Sequence, residues 1–199
     1  MENNQTAPEK FEVVKSEPYR FVGGCVYVGN KGYYMGGKGV RAERNILSEC
    51  IWNQSDWVFK MLDELKEYAT DEIHNASLAT WEKYDEKNQL FGYYIGRFMK
   101  ANTPVPPDLD YFDINAEYIA KAWWKGKRGE GFGKFWGGGV GIIIDELNKT
   151  GLYNARSDWW EAQAFPEPGE NGESFVGAYC PCELKKPERR FGFFRKINE

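Results

Sequence analysis

A single histidine, His74, serves all 199 residues, and no Gly-x-Ser-x-Gly turn occurs, so no recognisable nucleophile-base triad can be assembled. Cysteine is nearly as scarce. Of Cys25, Cys50, Cys180 and Cys182, only the last two are close in sequence. Cys180-Pro181-Cys182 has no second pair of thiols or imidazoles to complete a zinc site, so no metal and no cofactor is expected. Long apolar runs are missing: the longest, Val140 to Ile144, is broken by Gly141, which excludes a helical membrane span. An excess of positive charge is missing too. With a net charge of −4 and Lys and Arg scattered along the chain, direct nucleic-acid binding is not expected. The basic cluster Lys185-Lys186-Pro187-Glu188-Arg189-Arg190 is read as part of a solvated tail. The polar lead Met1 to Lys10 has no apolar signal core, and the chain is read as cytoplasmic with reduced thiols.

Aromatic residues, by contrast, are abundant, with eight Trp, twelve Tyr and thirteen Phe, and the order of segments repeats. Leu62-Asp63-Glu64-Leu65, Trp81-Glu82 and Gly92-Tyr93-Tyr94 return as Ile144-Asp145-Glu146-Leu147, Trp160-Glu161 and Gly177-Ala178-Tyr179, at offsets of 82, 79 and 85 residues. Nearly constant offsets imply a duplicated unit, with two halves about a pseudo-two-fold axis and a cleft where they meet. In the first half, strands are expected at Phe11–Val14 and Tyr19–Val28. An amphipathic helix follows over Asp56–Ala69, with Val58, Met61, Leu62 and Leu65 on one face, then a hairpin of Ser77–Asp85 and Leu90–Met99. Thr103-Pro104-Val105-Pro106-Pro107 lacks donors and restricts its neighbours, so the linker between halves is placed at 103–107. The second half repeats the plan. A strand over Asp113–Trp124 leads to a helix around Trp136–Lys149 stopped by Gly151, and strands follow near Asp158–Phe165 and Ser174–Leu184. Residues 1–9 are read as a disordered lead, 10–186 as one domain (halves 10–102 and 108–186), and 187–199 as a tail. The fold class is α+β: two β-α-β-β units, with two helices on a curved, mainly antiparallel sheet and a central ligand cleft.

The glycine-rich stretches, Gly29 to Lys38 and Gly126 to Gly141, do not make a phosphate loop. A Walker pattern ending at Gly133-Lys134 needs glycine where Arg128 stands and Ser or Thr where Phe135 stands.

The strand ending in Lys125-Gly126, the helix after it, the Trp160-Glu161 strand and the terminal Gly177-Ala178-Tyr179-Cys180-Pro181 together resemble the GyrI-like family. That family includes the effector-binding domains of AraC-type and MerR-type multidrug regulators. The resemblance spans residues 10 to 186 and implies a cleft for bulky, aromatic or cationic molecules, lined by a buried glutamate at Glu161 and a tyrosine at Tyr179. A second carboxylate found in family members falls on Gly177, which implies extra space for a planar ligand. It also implies three functions: a stand-alone binding protein for such compounds, a hydrolase of cyclopropane-containing electrophiles with Glu161 as general base and Tyr179 orienting water, or an inhibitor acting on a protein partner such as a topoisomerase.

Strand alternation puts Trp159, Glu161 and Gln163 on one face and Trp160, Ala162 and Ala164 on the other. With Glu161 toward the cleft, Trp159 shares it and Trp160 belongs to the core. Trp123 and Trp124 point opposite ways, so one of them lines the cleft. Glu82, as the repeat mate of Glu161, Tyr94, as the mate of Tyr179, and Trp136 at the helix entrance complete the expected walls. Aromatic walls of this kind attract a ligand cation, and its charge would compensate a buried carboxylate.

Overall fold

The computed structural model describes residues 7–29, 34–35, 55–70, 74–85, 90–126, 139–156, 160–167 and 172–186. Ten strands among them form one sheet: β1 (Lys10–Lys15), β2 (Tyr19–Gly29), β3 (Tyr34–Met35), β4 (Asn75–Asp85), β5 (Leu90–Lys100), β6 (Asp110–Ile114), β7 (Tyr118–Lys125), β8 (Tyr153–Ala155), β9 (Trp160–Phe165) and β10 (Phe175–Leu184). Two helices interrupt them, α1 (Ser55–Asp63) and α2 (Gly139–Thr150). The order is β1-β7-β10-β9-β4-β5-β2-β3, and every pairing is antiparallel. Its middle is palindromic. Among the six middle strands, the longer strand before each helix (β2, β7) lies on the outside, the last strand of each half (β5, β10) comes next, and β4 and β9 meet at the seam, while the short β3 and β8 stand apart from this pattern.

The helices follow their apolar stripes. Val58, Phe59 and Leu62 of α1 bury against Val22, Val26, Tyr93, Ile95 and Met99, whereas Ile142, Ile143 and Leu147 of α2 bury against Ala120, Ala122, Trp124, Ala178 and Cys180. Helix α1 is shorter than its periodicity predicts. After Asp63 the chain tightens into a 3-10 turn over Lys66–Tyr68, because Ala69 must be extended to bridge Met99. Helix α2 stops as predicted at Gly151, whose φ of 69° suits glycine.

The other face of the sheet curls round a second core. Phe21, Phe98, Phe112 and Ile114 from one end meet Ile119, Trp160, Ala162 and Tyr179 from the other. Two strands cross between the halves to close it. β1 pairs with β7, and β6 pairs with β2, so the strand expected over Asp113–Trp124 is really two strands separated at residues 115–117. Among the described residues no helix is long and apolar enough to cross a membrane.

Candidate functional site

Paired residues in an antiparallel ladder share a face, so the register decides which candidate residues can meet. Tyr179 pairs with Ala162 and Lys121, Ala162 with Leu78, Leu78 with Tyr94, and Tyr94 with Cys25. All of these point into the curled face, away from α1 and α2. Glu161 pairs with Ala79, Ala79 with Tyr93, Gln163 with Ser77 and with Ala178. These face the helices. The two expected site residues Glu161 and Tyr179 are therefore on opposite sides of the sheet. Alternation within each strand was legible in the sequence; the one-residue phase between β9 and β10 was not.

On the curled face the structure gathers Trp123, Tyr179 and Tyr94 with Trp160. The Trp123 indole packs edge-on to Tyr179 at 5.4 Å between centroids and to His74 at 5.8 Å. Phe98 joins Tyr179 to Trp160 at 5.6 and 6.1 Å. This is a filled core, with Trp160 at 0 % and Tyr94 and Tyr179 at 1 % exposure. The space anticipated over Gly177 is occupied: a Cβ there would come within 2.7 Å of Cε3 and 2.8 Å of Cη2 of Trp123. Gly177→Ala should accordingly push the indole aside and destabilise the fold by about 1–2 kcal/mol. A urea melt read by tryptophan emission checks it, and an unchanged midpoint would contradict the packing described.

Burial raises the Tyr179 hydroxyl well above its ordinary range, and the Glu12 carboxylate and Tyr19 add to the effect. Tyr94 is raised in the same way, first by burial and then by Cys25 beside it. Lys121 is buried with its ammonium 5.3 Å from the Tyr179 ring centroid. Burial pulls that ammonium down, and Glu12 opposes the fall. The indole Nε1 of Trp160 and the Tyr179 hydroxyl find no hydrogen-bond partner among the described residues.

The helix side has a different character. Helix α1 packs on β5 and β2, and α2 packs on β7, β8 and β10, so the central strands β4 and β9 form the floor of a trough between them. The floor carries Ser77 and Ala79 from β4 and Glu161 and Gln163 from β9. Trp124 lies on this side but is sealed under α2. Glu161 is half-buried, and desolvation alone raises its carboxyl above the usual range. Among the described residues no cation or hydrogen-bond donor meets it. Gln163 and Ser77 make no hydrogen bond among the described residues, and their polar atoms reach solvent. The guanidinium on the same face of β5, Arg97, is held by Asp63 at 2.6 Å and Asn75 at 2.8 Å. By register Tyr93, not Tyr94, lies on this side, because Tyr93 is the partner of Ala79.

Register also revises the repeat. Tyr94 opposite Leu78 matches Tyr179 opposite Ala162, and Leu78 pairs with Ala162, so the local two-fold passes through that pair. The mate of Glu161 is then Ser77, not Glu82, and the mate of Gln163 is Ala79. Identity of the Trp-Glu dipeptides misled because β4 shifts register after Thr80. The Glu82 side chain, Trp159 and Trp136 lie outside the described residues.

No protein-family model matches this chain, and no curated protein matches it. Solved structures do resemble it in outline. An uncharacterized conserved protein from Listeria innocua is 10 % identical over 89 % of this chain and 94 % of its own, with a TM-score of 0.47. A hydrolase from Listeria innocua is 11 % identical over 92 % and 96 %, with a TM-score of 0.46. The C-terminal domain of EcmrR is 11 % identical over 87 % and 97 %, with a TM-score of 0.45. Likeness at this level says nothing of what this chain binds.

Proposed function

We propose that this chain is a GyrI-like binding protein for bulky aromatic cations, held in the trough between α1 and α2 with their charge against Glu161. The observation that carries the reading is the floor itself: a desolvated carboxylate with no counter-charge among the described residues, beside Ser77 and Gln163, whose polar groups reach solvent. Burying the Glu161 carboxylate without a counter-charge is costly, and a ligand cation offsets the cost. Tyr93 and the partly buried Trp57 of α1 stand beside the floor as aromatic material. A cytoplasmic setting suits the three described cysteines, Cys25, Cys180 and Cys182, which are buried and form no disulfide with one another.

Hydrolysis of a cyclopropane-bearing electrophile in the same trough is the second reading. It is favoured by the raised carboxyl of Glu161, since a general base works best with its pKa moved toward neutral pH. Tyr179 has no part in it, being across the sheet. Tryptophan-fluorescence titration of wild type and Glu161→Gln with aromatic cations and such electrophiles separates the readings, with compound loss followed by chromatography. Saturable quenching weakened by Glu161→Gln, with the compound recovered intact, is the expected result. Repeated turnover lost in the variant would make the protein an enzyme, and quenching indifferent to the substitution would remove Glu161 from the site.

A further inference from the structure

We propose that the trough selects a ligand carrying one positive group and, a short distance away on the same aromatic frame, a neutral hydrogen-bonding group such as a carboxamide. The inference rests on the binding reading above and specifies the ligand class.

The floor breaks the local symmetry of the sheet. The two-fold through Leu78 and Ala162 relates Glu161 to Ser77 and Gln163 to Ala79. A chemically symmetric floor would repeat its carboxylate across the axis, and two carboxylates would hold a dication. Here the second half supplies all the long polar side chains. The first supplies a short hydroxyl and a methyl. Glu161 and Gln163 are two residues apart on one strand and share its face, so their Cα atoms are about 7 Å apart along β9. They are also isosteric, one an acid and the other its amide. An ammonium or amidinium placed on Glu161 leaves the rest of the ligand lying over Gln163 and its Cα partner Ser77.

Gln163 both donates and accepts. It satisfies a carboxamide fully, oxygen to N–H and N–H to oxygen. Facing a second amidinium it can only accept, and that charge would be desolvated without a counter-ion among the described residues, since Arg97 is of the wrong sign and already paired. A site built on hydrogen bonds rejects the ligand that mismatches them more strongly than an apolar wall does.

The test is calorimetric titration of the full chain with two compounds on one biphenyl frame, a bis-amidine and the amidine-carboxamide, with a tetraaryl phosphonium as a cation lacking any polar head. Wild type should bind the amidine-carboxamide about tenfold more tightly than the bis-amidine, and Gln163→Glu should reverse the order. Gln163→Leu should weaken the amidine-carboxamide more than the bis-amidine and so narrow the difference, which keeps the test sharp if Gln163→Glu perturbs the fold. Equal affinities in wild type, or a difference unchanged by both variants, would overturn the inference. If the phosphonium binds and is weakened by Glu161→Gln while the biphenyl pair shows no order, only this inference fails. If none of the three responds to Glu161→Gln, the reading of the trough fails and takes this inference with it.

Discussion

Replacing Gly96 by alanine is expected to remove most of the stability margin of the fold at 25 °C. Gly96 and Gly23 are Cα partners on β5 and β2, and a Cβ on Gly96 would be driven into the carbonyl oxygen of Val22, with the Gly23 Cα 2.8 Å away. The obstruction is backbone, so no rotamer relieves it. The strands would have to part at the middle of the ladder that joins Tyr19–Gly29 to Leu90–Lys100, and Phe21 and Phe98 would be pulled out of the curled core. A loss of about 4 kcal/mol or more is expected, a large share of the 5–15 kcal/mol by which a domain is ordinarily stable. Gly23→Ala should behave alike, since its Cβ would meet the Ile95 carbonyl. Gly141→Ala is the control: nothing lies within 4 Å of a Cβ there, the position is exposed on α2, and helix propensity should raise stability by about 0.5–1 kcal/mol. Urea denaturation followed by circular dichroism reads all three. A Gly96→Ala protein with a wild-type midpoint would show that the two strands are further apart than described.

The glycines that matter most were the least visible in the sequence. Gly23 and Gly96 look like ordinary small residues within strands, and their role depends on which strand lies opposite, a long-range fact. Local facts were legible. The apolar stripes of α1 and α2, the stop at Gly151, the hairpin of β4 and β5 and the parity of Trp160 against Glu161 all follow from spacing within one element. The α+β class, with two helices on a curved, mainly antiparallel sheet, followed from the order of segments. The crossing of β1 and β6 did not, because exchange between halves leaves no periodic trace. The same limit separated Tyr179 from Glu161. A slip of one residue between adjacent strands exchanges every side chain between faces, and the repeat, read through Trp81-Glu82, carried no information on that phase.

Glu161→Gln should weaken the binding of an aromatic cation by about a hundredfold, near 2.7 kcal/mol, while making the ligand-free protein more stable by about 1 kcal/mol at neutral pH. Both effects come from the same desolvated carboxyl. Because its folded pKa is raised above the unfolded value, the folded state holds the proton more tightly than the unfolded chain does. Stability is therefore greatest below the unfolded pKa. It falls as pH rises toward the raised folded pKa, and above that the full penalty of burying the carboxylate is present. Cation binding runs the other way, since the ligand selects the ionised form: affinity climbs with pH through the raised pKa and then levels. Glu161→Gln should flatten both curves, and the stability curves of the two proteins should converge in acid. Thermal melts and titrations across about pH 4 to 8 measure the two slopes on the same samples. A Glu161→Gln protein that binds as tightly as wild type and melts no higher would mean that the carboxylate is already neutralised from within the chain. The trough would then be part of the scaffold and not the place where a cation is received.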